Sequence, residues 1–302
     1  MSAAQALLSG ALVNTVSLQA LHDLCSPNLD PRLASISRKR AIDALSGYAC
    51  WICEDRGELT GIACVDSDCF ETSVIGSACG KISLFLATDR ETAGALLDGL
   101  SKHAGAHKRL SVRVDSDAIH SVQALEAAGF RTVDGLLTYG KEVKDVRKPR
   151  GVRVCQKSDA FGIGALAEAS FVQGRYHADP WITSDQADDL YRQWGENAAL
   201  GRIGGTTLVL DGEEGIAGFV LCSAHRTEQD SVGSIDLIAV DKAARGTGVG
   251  KRLVRAAMLW FFAQQCGYAT VGTQSANVAA SRFYQASGFS LVSSSVTLAR
   301  GA

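Results

Sequence analysis

The most constraining feature of the sequence is a glycine-spaced basic segment between two apolar runs. The stretch VDKAARGTGVGKRL, residues 240–253, follows the apolar run IDLIAV and precedes the apolar-periodic run LVRAAMLWFF. These runs predict a strand followed by an amphipathic helix. Three glycines, Gly246, Gly248 and Gly250, stand where the strand would give way to the helix. The chain therefore has to turn there with a backbone that few side chains cover.

Three interpretations of this junction compete. A P-loop requires a glycine five positions before the Gly-Lys pair and a Ser or Thr after it, but Arg245 and Arg252 occupy those places. A dinucleotide-binding fingerprint requires G-x-G-x-x-G, whereas the spacing here is G-x-G-x-G. In a pyrophosphate cradle, glycines expose backbone N–H groups at a helix N-terminus, and Arg245 and Lys251 add full charges. The alternative without a ligand is a glycine-rich turn with a solvated basic rim.

A second motif lies downstream. In NVAASRFYQASGF, Asn277 opens a predicted helix, Tyr284 follows about two turns later, and Gly288-Phe289 comes four residues after the tyrosine. Together with the glycine-spaced loop, this helix resembles the acetyl-coenzyme A motif and the following element of the GNAT acyltransferases. The two motifs stand in that family's order within residues 151–302.

The resemblance implies transfer of an acetyl group from acetyl-CoA to a primary amine, by direct attack in a ternary complex. It implies that IDLIAV splays from its neighbouring strand and that Tyr284 protonates the coenzyme A thiolate. An acidic residue near this strand serves some family members as general base, which suggests Asp236, although a paired structural carboxylate is an equal alternative. For Tyr284 the alternative is a packing aromatic. The expected coenzyme contacts are Ile238, Ala239, Val240, Arg245, Gly246, Thr247, Gly248, Val249, Gly250, Lys251 and Asn277.

The order of predicted elements supports a mixed fold. After residue 151, two helices precede three strands, and strand-helix-strand-helix-strand completes the order. The expected class is α/β (α+β), a GNAT-like, mostly antiparallel sheet flanked by helices. The stretches VQALEAAGFRTVDGLLTY and ASRFYQASGFSLVSSSVTL both predict a short helix, a Gly-Phe step and a strand, which indicates an internal repeat. A degenerate GNAT-like half would therefore come before the catalytic one.

The charge-rich segment KEVKDVRKPRG, residues 141–151, is the expected linker. We expect a noncatalytic domain at residues 1–146 and a catalytic domain at 147–302. The first half lacks a glycine-spaced loop after KISLFLATD, and Leu125 occupies the place of Tyr284. It should not bind coenzyme A, and it could either line the acceptor cleft or only stabilise the other half.

A narrower resemblance concerns the acceptor. The stretch SFVQGRYHADPWITSDQADDLYRQWGENAALG is similar to the acceptor-side helices of the dTDP-fucosamine acetyltransferase group, which implies a nucleotide-linked amino sugar. An amino acid, a polyamine, an antibiotic or a protein amine, and a noncatalytic acyl-CoA-binding module, are the alternatives. Arg175 suits a diphosphate or a carboxylate, and aromatic rings suit a sugar or base. The expected acceptor contacts are Arg175, Tyr176, His177 and Trp181. The matching residues are Phe171, Arg175, Tyr176, Pro180, Trp181, Tyr191, Trp194, Glu196 and Asn197.

Composition limits the partners and the compartment. With 30 basic and 32 acidic side chains, the net charge of -2 gives no global attraction to nucleic acid or to an anionic membrane. The opening stretch MSAAQALLSGALVNTVSLQALHDLC matches neither a signal peptide nor a membrane span. We expect a cytoplasmic protein that binds a small-molecule amine, with monomer and homodimer both open. The nine cysteines would be thiols.

The pair Cys50 and Cys53 in CWIC suggests a zinc or redox site. The surrounding sequence, however, predicts a hairpin that turns at EDRGE. Residues three apart on a strand point to opposite faces, so this pair should not hold one ion. We expect no metal.

Overall fold

The computed structural model describes residues 5–7, 41–44, 48–103, 107–172, 174–213, 215–227 and 230–301. Apart from Gln5–Leu7, the opening stretch of residues 1–25, which we expect to be neither a signal peptide nor a membrane span, lies outside these ranges. Within the described ranges, no helix is both long and apolar enough to cross a membrane. The chain forms two compact units, the first of Met1–Leu136, Ala178–Trp181 and Ser293–Ala302, the second of Leu137–His177 and Ile182–Val292.

The first unit is a sheet covered by helices. Its strands follow the order β1-β2-β3-β4-β5-β12, in which only the β4–β5 pair is parallel. Leu96, Leu125 and Leu298 are fully buried in its main core. The strands are β1 Gln5–Leu7, β2 Ala49–Asp55, β3 Glu58–Ser67, β4 Cys79–Ala87, β5 Arg109–Asp115 and part of β12, Ser290–Gly301. The helices are α1 Cys69–Ile75, α2 Arg90–His103 and α3 Ile119–Ala127.

The second unit has a helical layer on each face of its sheet. Its strands follow the order β6-β11-β10-β9-β8-β7, with a parallel β10–β11 pair and antiparallel pairs from β10 to β7. The strands are β6 Arg131–Glu142, whose second half lies here, β7 Val152–Val154, β8 Thr206–Gly212, β9 Gly215–Arg226, β10 Ser231–Val240 and β11 Tyr268–Gln274. The helices are α4 Ala160–Ser170, α5 Ser184–Ala199, α6 Val249–Ala263 and α7 Val278–Ala286, with 3-10 turns at Lys157–Asp159 and Lys242–Ala244.

Two apolar clusters divide this second sheet. One joins α6 to Val220, Cys222 and Val271, and the other joins α4 and α5 to Phe219 and Leu221. Neighbouring residues of β9 therefore enter opposite clusters, as the period of two requires. The predicted mixed, mostly antiparallel sheet flanked by helices is confirmed.

The same strand irregularities recur in both units. In β4, Ser83 is an extra residue opposite β3, and in β10, Asp236 is an extra residue opposite β9. In each unit the parallel pair spans four positions, ending at Ile82↔Val112 and at Ile235↔Val271. This shared register agrees with the internal repeat read from the sequence.

The compact units do not coincide with the two sequence halves. Strand β12 of the second half pairs with β5 of the first half over Ser295↔Asp115 to Gly301↔Arg109. Conversely, β6 enters the second unit from Leu137 onwards. The domain boundary between residues 146 and 147, which is inferred from the sequence repeat, stays a prediction.

The CWIC segment lies in the predicted hairpin. Cys50 and Cys53 belong to clusters on opposite faces of β2, so they cannot chelate one ion together. The expectation that all cysteines are thiols is wrong for one pair, because Cys50 and Cys64 form a disulfide across the hairpin. The physical reason is the register, which places the two cysteines directly opposite each other.

Candidate active site

The site begins where β10 separates from β11. The two strands pair from Val232↔Tyr268 to Ile235↔Val271, and from Leu237 onwards the recorded pairing of β10 is with β9 alone. The splay implied by the resemblance is therefore confirmed. It leaves one backbone edge of residues 238–240 without a strand partner among the described residues, and such an edge can hydrogen-bond an extended ligand.

The glycine loop follows this edge directly. Gly246 and Gly248 have φ of 80° and 90°, a left-handed conformation that glycine adopts without strain. A Cβ added at either position would meet no atom within 4 Å, so the space beside the loop is open. Gly248 is the N-cap of α6 and has no side chain to satisfy the first N–H groups of the helix.

The loop also carries backbone hydrogen-bond donors. Within the described part of the chain, five backbone N–H groups between positions 246 and 251 have no recorded acceptor. They belong to Gly246, Gly248, Val249, Gly250 and Lys251. The helix dipole adds partial positive charge at the same place. This arrangement can bind a diphosphate, because several N–H groups converge on one anion.

Side chains fix the shape of the loop. Arg245 Nε donates to the Val240 carbonyl at 3.2 Å, and Thr247 Oγ1 donates to the Ala244 carbonyl at 2.7 Å. Arg245 and Lys251 are both exposed, so their charges are available to an anion. A Cβ on Gly250 would lie 3.2 Å from Phe283, which brings the start of α6 close to α7.

The corresponding helix start in the first unit is closed. At the N-terminus of α2, the Asp89 carboxylate accepts a hydrogen bond from Thr92 N at 2.8 Å. This backbone hydrogen bond lowers the pKa of Asp89, so the group is an anion at neutral pH. A second anion would be repelled there, which supports the prediction that the first half does not bind coenzyme A.

Tyr284 lies on α7 inside the main core of the second unit. The side chain is 4 % exposed, and its ring centroid is 5.3 Å from Phe283, 6.0 Å from Tyr139 and 6.1 Å from Phe289. Burial raises the pKa of Tyr284 well above its ordinary value, so the phenol keeps its proton at neutral pH. Among the described residues, no hydrogen bond to its hydroxyl is recorded. A packing aromatic and a poised donor are both compatible with this environment.

Asp236 is the extra residue of the β10 bulge. Ser234 Oγ donates a hydrogen bond to Asp236 Oδ1 at 2.6 Å, which orients the carboxylate. Burial, with Asp236 as a further cause, raises the pKa of the Cys222 thiol well above its ordinary value. Bulges often re-aim a side chain beside an active site.

Asn277 serves as the N-cap of α7. Its side-chain oxygen accepts a hydrogen bond from Ala280 N at 3.0 Å. Its expected contact with coenzyme A stays a prediction, and the contact that the structure records is the helix cap.

The expected acceptor residues of the second unit lie beside a cluster of rings. Tyr176 is 2 % exposed, and Arg175 Nη2 donates to its hydroxyl at 2.5 Å, so its ring packs inside the protein rather than facing solvent. His177 Nε2 is 2.9 Å from Asp188 Oδ1, and its ring lies parallel to that of Tyr191 with centroids 5.9 Å apart. Since a carboxylate oxygen accepts hydrogen bonds, the Asp188 contact places a proton on Nε2 of His177.

Trp181 belongs to the first unit. Its indole lies against Gly301, where an added Cβ would clash with the indole ring, and Arg131 lies 5.9 Å from the ring centroid. Its backbone N–H donates to Asp179 Oδ1 at 3.0 Å. Its expected acceptor contact stays a prediction.

Sequence reasoning missed the side chains that support these residues. The hydroxyl of Ser234 could have been found, because residues 234 and 236 share a strand face by period two. Asp188 and the buried Asp179 carry no comparable sequence signal. Asp188 pairs with His177, which the segment between α4 and α5 brings to it, and Asp179 pairs with Arg109 of the first unit.

Comparison with known proteins decides the family. A model of the acetyltransferase (GNAT) family matches residues 168–289. A dTDP-fucosamine acetyltransferase from Escherichia coli is 30% identical over 193 residues, which cover 64% of this chain and 81% of that protein. The chain belongs to the GNAT acetyltransferase family.

Two solved structures share the fold of this GNAT acetyltransferase over nearly its whole length. A GCN5-related N-acetyltransferase from Sphaerobacter thermophilus aligns with a TM-score of 0.60 and 11% identity, covering 99% of this chain and 95% of its own. A tandem GNAT protein from the clavulanic acid biosynthesis pathway aligns with a TM-score of 0.57 and 12% identity, and the alignment covers 100% of this chain and 98% of that protein. At such identities the likeness shows the fold, and it agrees with a second GNAT-like half.

Proposed function

We propose that this GNAT acetyltransferase moves an acetyl group from acetyl-CoA to the primary amine of a nucleotide-linked amino sugar. The observation that carries the donor is the open loop with its N–H groups at the start of α6. The observation that supports the acceptor is the 30% identity to a dTDP-fucosamine acetyltransferase over 193 residues. A cytoplasmic location and a homodimer stay predictions.

The residues present fit the coenzyme. The loop from Arg245 to Lys251 would hold the diphosphate, because five of its N–H groups have no recorded acceptor among the described residues and its two cations are exposed. The unpaired edge of Ile238, Ala239 and Val240 would hydrogen-bond the amide groups of the pantetheine arm, as a neighbouring strand would. Acetyl-CoA, when bound, supplies the acetyl group as an activated thioester.

Two side chains would handle the protons. Burial keeps the Tyr284 hydroxyl protonated at neutral pH, and Tyr284 would donate this proton to the departing thiolate. It would regain a proton from the attacking nitrogen, which loses one as the amide forms. Asp236 would accept a proton from the acceptor ammonium, so that the amine attacks in its neutral form. Ser234 would hold the Asp236 carboxylate in position through its 2.6 Å hydrogen bond.

The acceptor would bind through Arg175 and His177. A guanidinium can bind two oxygens of a diphosphate at once, and the bond from Arg175 Nη2 to the Tyr176 hydroxyl would orient it. His177 would offer its Nδ1 for a hydrogen bond to the acceptor, because Nε2 is already paired with Asp188. Contacts of Tyr176 and Trp181 with the acceptor belong to the same proposal, and Tyr176 would first have to move out of its packed position.

The deciding experiment measures specificity constants for a dTDP-amino sugar, for the same amino sugar without the nucleotide, and for a set of amino acids. Thiol release from acetyl-CoA reports turnover, and each reaction is run with and without acceptor. We expect the nucleotide-linked sugar to exceed the free sugar by about 10-fold or more, because Arg175 would bind the diphosphate. Equal or better use of an amino acid would remove the nucleotide-sugar proposal and leave the acetyltransferase.

A further inference from the structure

A buried ion-pair network lies in the first unit. Arg109 Nε and Nη2 both donate to Asp179 Oδ2, at 2.9 and 2.6 Å, and Nη1 donates to Glu71 at 2.5 Å. All three residues are buried: Arg109 is 4 % exposed, Asp179 2 % and Glu71 1 %. The other oxygen of Asp179 accepts from Trp181 N at 3.0 Å. Three donors therefore fix the orientation of the Asp179 carboxylate.

Asp179 reaches this network from an unusual segment. Only Ala178–Trp181 belongs to the first unit at this point of the chain, and the residues on either side belong to the second. Ala178 and Pro180 are exposed, so Asp179 and Trp181 are the residues that hold the segment. Trp181 adds its packing against Gly301. The segment is thus anchored mainly by one buried carboxylate and one indole.

Stability alone does not account for such a network. The network buries one guanidinium and two carboxyl groups, and burial of charged groups costs free energy that their mutual attraction often only offsets. Burial alone would lower the pKa of Arg109, but Glu71 and Asp179 outweigh it and hold that pKa above its ordinary value. What the network does provide is a fixed position for Asp179, because the fork of Arg109 accepts a carboxylate in one orientation.

We propose that Arg109, acting through Asp179, positions the acceptor-binding residues Arg175 and His177. This inference rests on the proposed function, which assigns the acceptor to those two residues. His177 is two residues from Asp179 and Arg175 is four, so the extended chain limits their separations from it to about 7 and 14 Å. A displacement of Asp179 would pass along this short segment, and displacements of about 1 Å in a binding site can cost large factors in rate.

The test compares two isosteric changes in the same network. Asp179→Asn weakens the anchor of the segment, whereas Glu71→Gln removes the other carboxylate on Arg109 without touching the segment. For the full-length protein we measure acceptor KM and kcat with a dTDP-amino sugar, acetyl-CoA affinity by calorimetry, and amide hydrogen exchange of peptides covering residues 174–183. Arg109→Lys is the third variant, since it keeps the charge and loses the fork.

We expect Asp179→Asn and Arg109→Lys to raise the acceptor KM by about 10-fold or more. Exchange should become faster at residues 175–181, and acetyl-CoA affinity should stay within about twofold, because the coenzyme loop is untouched. Glu71→Gln should lower the melting temperature while leaving the acceptor KM and this exchange unchanged. A merely structural network would move all three variants together.

The proposal is overturned if Asp179→Asn keeps the wild-type acceptor KM, or if Glu71→Gln raises that KM as much. Faster exchange at residues 175–181 with an unchanged KM also overturns it, because the segment would then be held without effect on the acceptor. A wild-type protein that acetylates no sugar nucleotide refutes the proposed function instead. The exchange comparison still applies in that case: a change confined to Asp179→Asn and Arg109→Lys supports the anchoring role, and equal exchange in every variant overturns it.

Discussion

Replacing Gly248 by alanine tests the coenzyme loop most directly. Gly248 has φ of 90° and caps α6, and its added Cβ would touch no protein atom within 4 Å. The substitution therefore creates no clash within the protein. It strains the backbone, and it places a methyl group beside N–H groups that we propose to bind the diphosphate.

The two effects differ in size and in what they change. An alanine at this φ costs about 1–2 kcal/mol of folding stability, because its Cβ approaches the following carbonyl oxygen. This corresponds to a fall in melting temperature of about 2–6 °C. Loss of one charge-assisted N–H contact to a phosphate costs about 1.5–3 kcal/mol, which weakens acetyl-CoA binding by about 10- to 150-fold. A bulkier residue should abolish binding.

Gly57→Ala is the matched control. Gly57 lies in the β2–β3 turn with φ of 84°, and its added Cβ would also meet nothing within 4 Å. The two variants should lose similar amounts of melting temperature in thermal unfolding, while calorimetry should show weaker acetyl-CoA binding for Gly248→Ala alone. An affinity of Gly248→Ala within twofold of the wild type would refute the assignment of the loop.

Three further predictions concern single side chains. Tyr284→Phe should lower kcat by about 10²-fold with unchanged acetyl-CoA affinity, and a fully active variant would return the residue to a packing role. Arg175→Met should cost about 1.5–3 kcal/mol of acceptor binding, seen as a higher KM, whereas parallel loss of acetyl-CoA affinity would indicate a structural role. Hydrogen bonds from Arg153 hold the pKa of Asp159 at about 2, so this pair stabilises the fold above about pH 4. That contribution is lost as the pH falls towards 2. Arg153→Met should therefore make the urea midpoint of unfolding less dependent on pH between about 4 and 2. An unchanged pH dependence would contradict the pairing.

The sequence alone determined the features that depend on neighbouring residues. The strand YATVGTQ is β11, residue for residue, and the predicted helix after Asn277 is α7, with Asn277 as its cap. Gly246 and Gly248 take the left-handed conformations that a strand-to-helix turn requires. Sterics within a few residues decide such features, so the donor loop could be read from its motif.

Strand register depended on the tertiary structure. A turn at Arg56-Gly57 without irregularity would place Cys50 opposite Ala63, but a register shift after Cys53 places it opposite Cys64. One extra residue in β3 thus decides whether two cysteines can form a disulfide. Packing of both faces of the hairpin determines such a bulge, and no local pattern records it.

The support of the acceptor segment also depended on the tertiary structure. Arg109 and Asp179 are 70 positions apart, and each alone would be expected at the surface as an ordinary charged residue. They meet because Ala178–Trp181 packs with the first unit, whose sheet is completed by β12 from the far end of the chain. Charges are buried only where distant segments supply their partners, and that choice is made by the free energy of the whole fold rather than by any local sequence.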